Sequence, residues 1–316
     1  MASFYLIIIS LILGKICSFS ERFPKQTAQA LNGFVLYISL PAIVILKVPE
    51  LIQEFELSLK LLAPMSMAWI MFLMSYFLFY TLGRKFKWSP GLTACLFLTA
   101  GLANTSFVGF PLLDAIIGPE AIKIALIADQ MGTFLCFTTL GLMLANIYSK
   151  KGKQDTDGLR RLIIQNLKGI FFFPPFLVLM VTATLSLLSF YPPPIVNDVV
   201  TPLATTLGPL ALFSVGFSLK VNPSTLLKYR LPLSLGLLFK LIIAPLIFTL
   251  IFNWLADPSS LMIRVTILES AMATMITASV ICNQFKLEEE LANLMVGISI
   301  PLSLISVPIW NFLLTA

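Results

Sequence analysis

The sequence predicts an all-α integral membrane protein of ten transmembrane helices, built as two inverted five-helix repeats with helix 4 broken. Three observations point there. The composition is 58% hydrophobic and 11% charged, whereas a typical soluble protein is roughly a quarter charged. Apolar runs long enough to span a bilayer recur from one end to the other. One run is interrupted by Gly101-Leu102-Ala103-Asn104-Thr105-Ser106-Phe107-Val108-Gly109-Phe110-Pro111. Irregular backbone at membrane depth survives only where protein buries it or where it lines a watery cavity. This stretch therefore reads as half of a binding site.

Ten segments follow in order, at 3–20, 28–46, 59–83, 92–117, 121–148, 162–189, 199–219, 231–254, 262–285 and 289–314. The first lacks the basic start and small-residue cleavage site of a signal peptide, and Lys15 lies inside it. Gaps are punctuated by proline, glycine or charge. The gaps after segments 1, 3, 5, 7 and 9 hold 15 Lys and Arg, against Lys47, Lys60, Lys123 and Arg264 in the opposite set. The first set is expected in the cytoplasm, which puts both termini outside a cell (inner) membrane.

The polar stretch near the middle divides the chain into a first repeat (1–148), a cytoplasmic linker (149–161) and a second repeat (162–316). Five crossings on each side give the halves opposite senses, a layout shared by many secondary transporters. Segment 9 is the counterpart of segment 4 and carries Ala271-Met272-Ala273-Thr274-Met275-Ile276-Thr277-Ala278-Ser279 at a similar depth. It has no proline or glycine there, so its break stays open. Pro41, Pro174-Pro175 and Gly208-Pro209 are assigned to packing kinks.

The net charge of +6 falls in short loops where it sets topology, so nucleic acid is not an expected partner. Cys17, Cys95, Cys136 and Cys282 stand singly, without metal-ligand spacing. The chain has no histidine, which removes Ser-His-Asp triads and histidine-ligated metals. Within the membrane, Lys15, Asp129, Lys240 and Glu269 are charged, each at a cost of about 2.5 kcal/mol or more at a helix centre. At a rise of about 1.5 Å per residue, Asp129 lies roughly 12 Å and Glu269 roughly 10 Å from the outer face, and Lys240 roughly 14 Å from the inner one. All three can meet near the midplane. Asp129 or Glu269 is the candidate for exchanging a proton or sodium ion, Lys240 for pairing with a carboxylate. Lys15 snorkels or pairs, and Asp114 reads as a rim residue. Asn104, Thr105 and Ser106 sit where a helix restarts, whose free N–H groups favour an anion. Thr274, Thr277, Ala278 and Ser279 are the matching candidates on segment 9.

Several stretches then become recognisable together. Residues 102–113 (Leu-Ala-Asn-Thr-Ser-Phe-Val-Gly-Phe-Pro-Leu-Leu) resemble the broken fourth helix of the auxin efflux carrier family. Phe34 to Ala42 resembles its second helix, Thr206 to Leu219 its seventh, and Glu269-Ser270-Ala271-Met272 the entry of its ninth. The resemblance implies the fold shared with bile-acid symporters and sodium–proton antiporters. In it, helices 4 and 9 are broken and cross at their breaks, and helices 1, 2, 6 and 7 form a scaffold against which a core of helices 3–5 and 8–10 slides. It also implies a small organic anion as substrate, auxin-like or malate- or malonate-like. The binding asparagine maps onto Asn104 and the ninth-helix crossover onto Thr277–Ala278. Ala103 and Ala278 stand where plant members carry prolines, and the long cytoplasmic loop is missing, which points to a bacterial-type member.

The expectation is a secondary transporter of a small organic carboxylate, working by elevator-type alternating access, with no cofactor beyond proton or sodium coupling. Its partners are the substrate and the lipid bilayer, and a homodimer through the scaffold has precedent in related folds. A transporter-like sensor or receptor and an anion channel are the rivals. An intramembrane enzyme lacks a catalytic dyad.

Overall fold

A computed structural model describes residues 2–55, 59–149, 169, 172–219, 223–255 and 260–315. Apart from Ser149, the expected linker lies outside these residues, as do 162–168 of the sixth segment. The described residues fold into α1 Ala2–Cys17, α2 Thr27–Glu54, α3 Leu59–Phe86, α4 Pro90–Gly101, α5 Thr105–Ile116 and α6 Glu120–Tyr148. Then come α7 Pro174–Leu187, α8 Pro194–Ser218, α9 Arg230–Trp254, α10 Leu261–Ser270, α11 Ile276–Gln284 and α12 Glu289–Thr315. Six of them (α2, α3, α6, α8, α9 and α12) are long and apolar enough to cross a membrane. The chain is a multi-pass integral membrane protein.

Local chemistry sets several ends. Ser89 caps α4, accepting the Leu92 N–H at 3.1 Å with Pro90 at the first position. Ser260 does the same for α10, from Ile263 at 3.4 Å. Lys87 ends α3 in the left-handed conformation, φ 55°. Helix α2 runs eight residues past the expected end at 46. There Lys47 pairs with Glu50 at 2.8 Å, and Glu54 meets Lys123 of α6, which also meets Glu120 at 2.5 Å. Those polar partners let the helix continue beyond its apolar stretch.

Packing sorts the helices. Helix α1 lies along α8, while α2 packs on α7 and α8. Helix α3 packs on α4, α6 and α10, and α12 on α4, α9, α10 and α11. The α1–α8 contact is backbone to backbone. A Cβ on Gly14 would stand 2.1 Å from the Phe213 carbonyl oxygen, and one on Gly216 would stand 2.1 Å from that of Leu11. In lipid, where apolar surface drives little association, such small-residue contacts hold helices together. Lys15 does not merely snorkel. Its Nζ donates to the Leu219 carbonyl at 2.7 Å, satisfying an acceptor at the end of α8. Ser39 of α2 and Thr206 of α8 share a hydrogen bond of 2.7 Å.

At the end of the bundle where α12 begins, Lys228 bonds Glu290 at 2.8 Å and the Tyr229 hydroxyl donates to Glu288 at 2.8 Å. The Lys228 hydrogen bond and charge hold the Glu290 carboxyl below its ordinary value. That contribution is present above the ordinary carboxylate pKa and disappears as pH falls through the lowered one. Both groups face solvent, so it is small.

Gly216→Val drives a branched side chain into the α1 backbone. Overpacking of this kind costs about 1–3 kcal/mol. Thermal unfolding in detergent is expected to show a lowered midpoint, and an unchanged one would mean the two helices are not in contact.

Candidate functional site

Two helices stop short and start again at the same level. Helix α4 ends at Gly101, Leu102 is extended (φ −113°, ψ 126°), and α5 begins at Thr105. Helix α10 ends at Ser270, Met275 is extended (φ −61°, ψ 125°), and α11 begins at Ile276. The two gaps run antiparallel and pair. Asn104 N–H donates to the Ala273 carbonyl at 2.8 Å, and Met275 N–H to that of Leu102 at 3.1 Å. Thr274 N–H donates to Ser299 Oγ of α12 at 2.9 Å. Backbone groups that a continuous helix would satisfy internally are thus satisfied by the other gap and by α12. This is why α10 breaks without proline or glycine. The crossover lies at Ala273–Met275, slightly before the Thr277–Ala278 position implied by the resemblance, because the pairing register with Leu102–Asn104 fixes it.

Both restarting helices direct N-termini to this level. In α5 the first N–H to close onto the new helix is that of Gly109, onto the Asn104 carbonyl at 3.0 Å. The N–H groups before it have no helical acceptor. That spacing, i to i+5, is wider than an α-turn. It recurs at Val35–Ser39 in α2, Ala128–Phe134 and Phe137–Gly141 in α6, and Phe239–Ile243 in α9. Wide turns inside helices concentrate at functional sites. One of these contains Asp129 and another Lys240.

A cavity of about 200 Å³ opens against the crossing. It exceeds the roughly 10–15 Å³ that one water requires and falls below the 300–1,000 Å³ of drug-sized sites. Its polar wall is Asn104, Thr105, Ser106, Asp129, Gln130 and Thr277, with Asn32 of α2 also lining it. Its apolar wall includes Leu36, Leu40, Phe107, Phe134, Phe137 and Phe173. Phe134 stacks on Phe173, centroids 4.4 Å apart, joining α6 to the start of α7. Asp129 accepts from Thr105 Oγ1 and, at 2.7 Å, from Gln130 Nε2.

The expected residues divide accordingly. Asn104, Thr105, Ser106, Thr277 and Asp129 line the cavity; Thr274, Ala278, Ser279, Lys240 and Glu269 do not. Thr274 is buried within the crossing, Ala278 is buried in α11, and Ser279 donates to Asn293 of α12 at 2.9 Å. Asp114 borders a separate, wider groove of about 930 Å³ between α1, α2, α5, α6 and α8. Along α2 and α5 the two hollows are one turn apart, Leu40 and Phe107 facing one, Ile43 and Phe110 the other. Asn32 and Gln130 were not singled out from sequence, although each is a polar residue in an apolar run. The wall phenylalanines carry no local signal at all.

Buried polar atoms without a protein partner gather at this level. Among the described residues they include Asn104 Nδ2, Gln130 Oε1, Thr133 Oγ1, Thr274 Oγ1 and both Glu269 carboxylate oxygens. Buried polar groups are overwhelmingly hydrogen-bonded, so such a gathering marks a place for a ligand, ion or water. Glu269 packs on Gly109, where a Cβ would stand 2.8 Å from Oε2. Lys240 is fully buried, its Nζ 3.8 Å from the Met71 sulfur. No metal-binding cluster of histidine, cysteine or carboxylates occurs among the described residues.

Paired helix breaks beside a polar cavity inside an apolar bundle are a build shared with membrane transport proteins. Residues 2–311 match the membrane transport protein family, and the chain belongs to that family, the auxin efflux carriers. An uncharacterized transporter of Methanothermobacter thermautotrophicus is 26% identical, covering 98% of this chain and 96% of the relative. One from Methanocaldococcus jannaschii is also 26% identical, over 98% and 97%. The uncharacterized transporter YfdV of Escherichia coli is 22% identical, over 97% and 95%.

Ser299→Ala leaves the Thr274 amide without its acceptor, a loss of about 1–3 kcal/mol. Hydrogen exchange of peptides covering 271–276 is expected to quicken in the variant. Exchange as slow as in the parent would show that Ser299 does not hold the gap.

Proposed function

We propose that the protein is a secondary transporter of a small organic carboxylate. The observation that carries this reading is the unpartnered Asn104 amide at the paired breaks, facing a cavity beside two converging helix N-termini. An amide and free backbone N–H groups are donors without positive charge. They grip an anion yet release it, as a carrier must. Asn104, Thr105, Ser106 and the start of α11 around Thr277 hold the carboxylate, and the aromatic wall receives the rest of the molecule.

The architecture that serves this is ten crossings in two inverted repeats, α4 with α5 and α10 with α11 each making one broken crossing. The packing supports division into a scaffold of α1, α2, α7 and α8 and a core holding both breaks. In an elevator motion the core carries the site between the two hollows, which lie one turn apart. The Lys and Arg bias supports both termini outside a cell membrane.

Coupling follows from charge. Asp129, Glu269 and Lys240 are all at least 95% buried, and their formal charges leave one negative in excess. Carrying that charge through a dry interior costs several kcal/mol. One monovalent cation, a proton or sodium, offsets it on Asp129 or Glu269. A sensor or channel built on the same fold differs in flux: a sensor binds without accumulation, and a channel shows no counterflow.

In proteoliposomes, Asn104→Ala is expected to weaken carboxylate uptake about 10- to 100-fold, since hydrogen bonds to charged groups contribute roughly 1.5–3 kcal/mol. Uptake equal to the parent would remove Asn104 from the site. Initial rates are expected to rise with an inward sodium gradient or with an inward proton gradient, and either Asp129→Asn or Glu269→Gln to abolish that dependence. Rates indifferent to both gradients would reject coupling.

A further inference from the structure

Asn32 lies on α2 and lines the same cavity as Asn104. Its side chain is not free to turn. Ser214 of α8, itself fully buried, donates its hydroxyl to Asn32 Oδ1 and lies 3.3 Å from the Ala28 carbonyl oxygen. An asparagine side chain has one acceptor oxygen and one NH₂ with two donors. With Oδ1 occupied by Ser214, the end left to face the cavity is the NH₂. The α2 lining of the cavity therefore also presents a neutral donor, and one whose orientation a second residue fixes.

We propose that Asn32 is a second anion-binding residue and that Ser214 is its positioning residue, so that a carboxylate in the cavity is held by α2 as well as by the broken helices. This deepens the transporter reading above and rests on it. Asn104 sits between α4, which packs on α3 and α12, and α5, which packs on α6 and also touches α1 and α8, whereas Asn32 and Ser214 belong to α2 and α8, which pack on each other and on α7 and α1. A ligand bound by both amides bridges the two groups of helices. Loading is then coupled to their closure, and separation of the groups removes one of the two donors.

The test compares Asn32→Ala, Asn32→Asp, Ser214→Ala, Asn32→Ala/Ser214→Ala and Asn104→Ala in detergent. Binding of radiolabelled malonate, malate and indole-3-acetate is measured alongside the thermal midpoint without ligand. Asn32→Ala is expected to weaken binding about tenfold. Ser214→Ala should weaken it less, and the double variant should match Asn32→Ala, because Ser214 acts only through Asn32. Asn32→Asp keeps an acceptor for Ser214 but replaces the donor with negative charge, so it should lose binding while keeping the parent midpoint. That variant decides the matter if Asn32→Ala fails to fold. Weakened binding in Asn104→Ala with parent-like binding in Asn32→Asp and Ser214→Ala overturns this inference and leaves the transporter reading standing. Lowered midpoints with unchanged affinity overturn it too, since the pair then only pins α2 to α8. No binding of any of the three carboxylates by the parent, or parent-like binding in Asn104→Ala, overturns the transporter reading and this inference with it.

Discussion

Two backbone hydrogen bonds, Asn104 to Ala273 and Met275 to Leu102, are what the rest of this structure is arranged around. A helix interrupted inside a bilayer exposes N–H and C=O groups that lipid cannot satisfy, at several kcal/mol each. One interruption alone is therefore prohibitive. Two interruptions running antiparallel at the same depth satisfy each other, and Ser299 takes the Thr274 N–H that remains. The bundle has to bring α4–α5 and α10–α11 together before either break is tolerable. Contacts of α3, α6 and α12 with those four half-helices do so.

The same arrangement accounts for the polar chemistry held in an apolar interior. Four helix ends meeting at one level leave room that side chains do not fill, and the wide turns in α2, α5, α6 and α9 shift side chains around that room. Asp129 is held by Thr105 and Gln130, so this carboxylate has partners within the protein. Among the described residues, Glu269 has no hydrogen-bond partner, and Lys240 has only the Met71 sulfur, with no salt bridge between the two. An uncompensated buried charge is costly to the fold. Membership in the membrane transport protein family is consistent with the coupled carriage of a solute and a balancing charge proposed above.

Parts of the site were open to reading from residue order alone. Gly101 to Pro111 combines two glycines, a proline and an Asn-Thr-Ser triplet in an apolar run, a local conflict that only a functional interruption resolves. The break in α10 was not legible in that way. Ala271 to Thr274 would propagate a helix readily, and what stops it is the partner gap lying across it. Ser279 shares a short polar stretch with Thr277, but it turns to Asn293 of α12 while Thr277 faces the cavity. Asn32 is a single polar residue in an apolar run and carries no motif of its own. Its role depends on Ser214, 182 residues away.

Residue order by itself determined that this chain lives in a membrane, where its helices run and which of them carries an obvious interruption. Those properties come from hydrophobic length and local backbone preference, which neighbouring residues decide. Where α10 stops, which polar groups share one cavity and how Asn32 is turned were decided by tertiary structure. Each depends on hydrogen bonds between residues far apart in the chain, and no local pattern encodes such a bond until packing has put its two ends in reach.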